Sequence, residues 1–229
     1  MMRRVPKADN QGLTLVECLV AITVIGVSVA MISPVVLLAV GTRVQSQRTE
    51  QALQLAQSEI DKLRLVIERG DSSNIAAVNA LLPATPAGIN SVADFEASVP
   101  PPEDIELTAA NRYQTDLNFA KPVDIDSDGT TDFAIQLFRN STTTTTSGVA
   151  LDFGVRVYTA NALDKPAADL GTEAARVQGR GLSTGSAATN PLAVLYTTVI
   201  KSDTATSLCD YYNYIESTTG QTASAPGAC

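Results

Sequence analysis

The chain has 229 residues, a formal net charge of −8 at pH 7, no histidine and no tryptophan. That acidic balance argues against nucleic-acid binding, which needs a basic surface. With no Gly-rich phosphate loop and no histidine to serve as a catalytic base, the sequence offers no catalytic constellation and is expected not to be an enzyme.

Residues 1–12, MMRRVPKADNQG, set Arg3, Arg4 and Lys7 against Asp9, a net +2, so residues 13–229 carry −10. From Leu13 to Val40 the chain is an almost unbroken apolar stretch with one carboxylate, Glu17, near its beginning, and residues 18–40 hold no charge. At about 1.5 Å per residue this run can cross a hydrocarbon core of about 30 Å. A secretory signal would have a shorter apolar region, about 7–15 residues, ending in a small-residue cleavage site, which is absent here. The basic flank precedes the run and stays cytoplasmic, so the C-terminal body is expected outside; Arg43 on the far side weakens that asymmetry without reversing it. A carboxylate in such a segment costs roughly 2.5–3.5 kcal/mol at a helix centre and less near its end. A chain that keeps Glu17 there is expected to use it.

Gly12-Leu13-Thr14-Leu15-Val16-Glu17 resembles the processing motif of type IV prepilins and type II secretion pseudopilins. The resemblance implies a prepilin peptidase that cuts after Gly12 and methylates the new amine of Leu13. It makes Glu17 the fifth mature residue, paired in an assembled filament with the terminal amine of a neighbouring subunit. Losing one partner of such a buried pair costs about 3–5 kcal/mol. It also implies that Pro34 kinks the membrane helix, since proline removes a backbone hydrogen bond and clashes with the preceding turn. Leu13 stands where the family usually has phenylalanine. Cys18 would be sixth in the mature chain, not first as in a lipoprotein, and is expected to behave as a small buried hydrophobe.

The helix is expected to continue through residues 41–70. Leu53, Ala56, Ile60, Leu63 and Ile67 are spaced 3, 4, 3 and 4 and share one face, with Gln57, Asp61, Arg64 and Glu68 elsewhere. Glu59 and Lys62 stand three apart, a favourable pair, and Gly70 is the expected stop. A coiled coil would need more than about two heptads, so packing on the chain's own sheet is expected.

Residues 71–229 are enough for one globular head. Ser72 or Ser73 is expected to cap a short helix through Leu82, and residues 83–103 read as irregular connection. Residues 113–120, 132–139, 149–159 and 192–200 read as strands by alternation, as in Phe133-Ile135-Leu137 and Leu151-Phe153-Val155-Val157. Residues 141–148 read as a polar hairpin connection and 160–191 as a long loop. The expected fold is α+β: a long N-terminal helix on an antiparallel sheet, which is also the fold that the pilin resemblance implies.

VDIDSDGTTDF places Asp124, Asp126 and Asp128 two apart, followed by Gly129 and Asp132. D-x-D-x-D-G is the start of a calcium loop, with Thr130 offering its backbone carbonyl and Asp132 binding directly or through water. Ile135 stands at the twelfth position, where an EF-hand has glutamate, and no helices flank the loop. An acidic turn without an ion is the alternative. Cys209 and Cys229, in an exported body, are expected to form a disulfide worth about 3 kcal/mol, with two free thiols as the alternative. Pilins often close a C-terminal loop this way. Tyr211, Tyr212 and Tyr214 in that tail face either a partner or the core.

Together these features predict a minor pilin or pseudopilin in a single-pass inner-membrane precursor, later part of a pilus or pseudopilus at the cell surface. Its partners are the prepilin peptidase, other pilins, the assembly platform and the membrane. The overall likeness is to pseudopilins of hormogonium polysaccharide secretion. A membrane-anchored, calcium-dependent adhesive protein is the alternative.

Overall fold

The computed structural model describes residues 14–69, 82–89, 91–105, 116–140, 150–175, 188–200 and 207–220. The chain divides into two compact units, Met1–Val44 and Gln45–Cys229, and helix α1 (Leu15–Arg69) contributes to both.

In the first unit α1 is apolar on every side. Leu15, Val16, Ile22, Met31 and Leu37 are among its exposed large hydrophobics, and the 18-residue window that qualifies it as a membrane span has no buried residue. The hydroxyls of Thr23, Ser28 and Ser33 donate back to the carbonyls of Val20, Val24 and Val29 within the helix, each at 2.8 Å. No hydroxyl among these three then needs water, as a lipid-facing helix requires. Pro34 lies inside α1, which continues through it.

The second unit is built on a five-stranded sheet in the order β1 (Asp104–Ile105), β2 (Phe119–Val123), β3 (Phe133–Arg139), β4 (Ala150–Thr159) and β5 (Ala193–Ile200). The first pair is parallel and the others antiparallel, with Leu137 opposite Val155 and Val155 opposite Leu195. Helix α1, the sheet and its order make the α+β, pilin-like architecture that the sequence predicts.

One sheet face carries Phe133, Ile135, Leu137, Leu151, Phe153, Val155 and Val157 and packs on Ala52, Ala56, Ile60, Leu63 and Ile67 of α1. Removing each of Ile60, Leu63 and Ile67 from water contributes about 1.5–3 kcal/mol. Leu53 departs from expectation: it is 39% exposed, while Ala52 is fully buried. The stripe is centred between Ala56 and Leu63, and at about 100° per residue this puts position 52 beneath the sheet and position 53 on its rim.

The opposite sheet face is covered too. A 3₁₀ turn at Val92–Asp94 leads into the short helix α2 (Phe95–Ser98), so part of the segment 83–103 is helical rather than irregular. Phe95 meets Phe138 edge-on at 5.2 Å, and Phe138 lies over Gly154, where a Cβ would come within 2.2 Å of the ring. Arg156, fully buried, donates to the carbonyls of Phe95 (2.8 Å) and Val99 (3.0 Å) and to the Tyr196 hydroxyl (2.8 Å).

Helix α3 (Ser207–Thr219) occupies what reads in the sequence as a tail loop. Its Tyr214 turns into the core and donates to the buried Asp152 carboxylate, which also accepts from Thr198 at 2.6 Å. Burial, and next the Asp152 partner, push the Tyr214 hydroxyl's pKa far upward. Two further expectations shift. The strand read at 113–120 is β2 at Phe119–Val123, with residues 116–118 forming a bend and turn, and two 3₁₀ turns, Ala160–Ala162 and Ala167–Asp169, occupy the long loop. The helix expected from residue 72, the stop at Gly70 and the hairpin at 141–148 lie outside the described residues.

Candidate functional site

Two places carry the candidate chemistry. The first is the start of α1. Thr14 precedes the helix, its carbonyl accepts the Cys18 N–H at 3.2 Å, and its Oγ1 accepts the Glu17 N–H at 3.3 Å. These are the bonds of an N-cap residue to positions N4 and N3. Glu17 thus lies in the first turn of α1, exposed, where the helix dipole favours a negative charge. Thr14-x-x-Glu17 is the sequence signal of a capping box, legible although the processing motif claims both residues first. Gly12 and Leu13 lie outside the described residues. Cys18 is a free thiol exposed on the apolar helix surface, not buried within the fold.

The second place is the loop from β2 to β3. One carboxylate oxygen from each of Asp124, Asp126 and Asp128 falls within 4.8 Å of the others, and all three residues are exposed. The backbone holds them there. Asp124 accepts the N–H groups of Ser127 (2.6 Å) and Gly129 (2.9 Å), and Asp126 accepts that of Asp128 (3.2 Å). Ser127 and Gly129 take φ of 60° and 89°, the left-handed region in which glycine carries no Cβ penalty. Asp132 stands apart from the three: its Oδ2 accepts the Ile125 N–H at 2.9 Å and so closes the loop base. Thr130 gives both its N–H and its hydroxyl to Asp128 Oδ1.

The charges show in the titration behaviour. At Asp126 the strongest single influence, the Asp128 backbone N–H, holds the carboxyl down. Desolvation and the neighbouring Asp128, Asp132 and Asp124 outweigh it, so Asp126 titrates above the ordinary carboxylate value. Asp128 goes the other way, held low by the Thr130 hydroxyl and N–H. Beside the loop, Arg48 and Gln51 of α1 line a cleft of about 410 Å³ with Asp126, Asp132 and Asn161. Hard oxygen donors at this spacing fit a calcium-sized cation better than a transition metal.

Residues 7–33 match the family model described as the prokaryotic N-terminal methylation motif. This is a type IV pilin-like chain. The match spans the segment that holds Gly12, Leu13, Glu17 and the first turns of α1, and ends before Pro34. In a pilin-like chain the apolar part of α1 agrees with a single membrane anchor, and the motif implies processing by a prepilin peptidase and assembly with other pilins. The motif points to a structural protein rather than an enzyme. No curated protein and no solved structure matches the chain.

Cys209 lies in the first turn of α3, half-buried, and Cys229 lies outside the described residues. Tyr211 and Tyr212 are half-buried while Tyr214 faces the core, so of the three only Tyr214 has a structural task fully inside the fold.

Proposed function

We propose that this chain is a structural minor pilin or pseudopilin, cut by the prepilin peptidase after Gly12 and methylated at Leu13. The membrane-length part of α1 (residues 13–40) holds it in the inner membrane, residues 41–70 carry the soluble half of the helix, and the head, residues 71–229, is exported. In the filament Glu17 pairs with the Leu13 amine of a neighbouring subunit, and Pro34 kinks the helix. The single observation that supports this most is α1 itself: apolar on all sides over a membrane's thickness, with one carboxylate in its first turn, inside the matched motif. An exposed apolar surface of that size needs lipid or other helices around it.

The aspartate loop is assigned calcium, held by Asp124, Asp126 and Asp128, with Asp132 and Thr130 completing the shell. Extracellular modules bind calcium at about 10⁻⁴–10⁻³ M, which suits an exported head. A Cys209–Cys229 bridge ties the C-terminal segment to α3. Such a filament serves motility or the secretion of polysaccharide or protein. A membrane-anchored, calcium-dependent adhesive protein is the second reading, supported by the convergence of the three carboxylates. Expression in cells with and without the prepilin peptidase separates the two. A pilin or pseudopilin keeps its leader in the deficient cells, whereas a plain anchored adhesin is identical in both.

A further inference from the structure

We propose that Thr14 is a positioning residue for leader removal: by capping α1 it keeps the Gly12–Leu13 bond outside the helix. This rests on the proposed function and adds a residue to it. In processing, water adds across the Gly12–Leu13 amide, leaving a carboxylate on Gly12 and an amine on Leu13. An amide inside a helix is a poor substrate for such a step. Its carbonyl is tied along the axis in an i→i+4 bond, and its flanks wind away instead of lying extended across a peptidase cleft.

The structure starts the helix two residues past that bond. Thr14 is non-helical, α1 opens at Leu15, and the Thr14 side chain takes the Glu17 N–H, one of the four donors a helix start leaves orphaned. Upstream, the next good capping residues are Asn10 and Asp9. Alanine at 14 is the strongest helix former and brings no cap. It lets the helix start move back to Asn10 or Asp9, which encloses Gly12 and Leu13 in the first turn. Serine at 14 keeps the acceptor oxygen and the boundary.

The test is the initial rate of cleavage of full-length precursor by purified prepilin peptidase in proteoliposomes, read by the mobility shift on gels. Thr14→Ala is expected to be cut about five-fold more slowly, the factor corresponding to ~1 kcal/mol of lost cap, and Thr14→Ser within about two-fold of wild type. The triple variant D9A/N10A/T14A, which lacks the upstream caps, is expected to recover most of the rate, with D9A/N10A as its control. Cleavage of Thr14→Ala at the wild-type rate overturns the positioning role. So does a triple variant as slow as Thr14→Ala, because the hydroxyl would then be needed by the peptidase itself. Wild-type precursor left uncut overturns the proposed function instead.

Discussion

The Glu59 carboxylate of α1 lies 3.5 Å from the Lys121 ammonium of β2 and 2.8 Å from that of Lys62 on its own helix. Glu59 is only 3% exposed, so it is a buried acid at the helix–sheet seam held by two lysines that reach in from the rim. In the sequence it is one half of a surface i,i+3 pair worth a few tenths of a kcal/mol. In the fold it joins α1 to the sheet. Lys121→Met is expected to cost about 1–2 kcal/mol, between a surface pair and a fully buried one. Urea denaturation of the full chain in detergent, followed by far-UV circular dichroism, measures this, and an unchanged midpoint would contradict it.

Arg156 is the more severe case. Its guanidinium serves the carbonyls of Phe95, Val99 and Pro100, the Gln136 side chain and the Tyr196 hydroxyl, and stacks over the Phe138 ring at 5.2 Å. Lysine cannot reproduce that planar fork. Arg156→Lys leaves buried carbonyls without donors and is expected to destabilise the head by about 3 kcal/mol or more. The same denaturation measurement decides it, and a loss under about 1 kcal/mol would mean that water replaces the lost donors.

For the aspartate loop, added calcium is expected to raise the melting temperature in the wild type and leave Asp124→Ala unmoved. Asp124 both supplies a ligand oxygen and accepts two loop N–H groups, so its removal undoes donor and scaffold together. Gly129→Val is expected to weaken the response as well, because a β-branched residue at φ 89° is strained. Calorimetric titration that finds no binding in the wild type would remove calcium from the account.

The pH dependence follows from Asp126. A cation binds the ionised carboxyl, and Asp126 takes up its proton at a higher pH than an ordinary aspartate. Calcium affinity is therefore expected to fall as pH drops toward that raised value, before ordinary aspartates protonate. Without calcium the sign reverses. A raised acid stabilises the fold below the unfolded pKa, and that contribution is lost as pH rises through the folded value. Asp128, displaced downward, contributes above the unfolded pKa and loses it in stronger acid. Asp126→Asn is expected to flatten the calcium profile in its upper part, which titrations across the acidic range would show.

Much of this was legible in the chain because the signals are local. The 3.6-residue spacing of Ala56, Ile60, Leu63 and Ile67 specifies the buried stripe of α1, and D-x-D-x-D-G specifies a loop whose hydrogen bonds span five residues or fewer among its first six positions. What stayed hidden is long-range and polar. Arg156 reads as the solvated side of an alternating strand, yet its partners Phe95 and Val99 lie 61 and 57 positions away. Helix α3 carries Asp210, Asn213 and Ser217, weak helix formers, and docks through Tyr214 and Asp152, a polar contact that hydrophobic periodicity does not register. The strand expected at 113–120 shares only Phe119 and Ala120 with β2, because Pro122 demotes the end of the run FAKPV as a strand; β1 pairs with β2 at just those two residues, clear of the proline.

At the start of α1, Glu17→Ala is expected to be processed like the wild type but to reach filaments poorly, since it keeps the motif's glycine and the Thr14 cap while losing the charge. Immunoblots of sheared filaments check this, and wild-type incorporation would remove Glu17 from assembly.

The central claim, a pilin-like subunit matured at Gly12–Leu13, is tested most directly by mass spectrometry of the N-terminal peptide from the membrane-extracted protein. The account predicts a chain that begins at Leu13 with one methyl group on its amine. A chain that retains residues 1–12, or begins elsewhere, would contradict it.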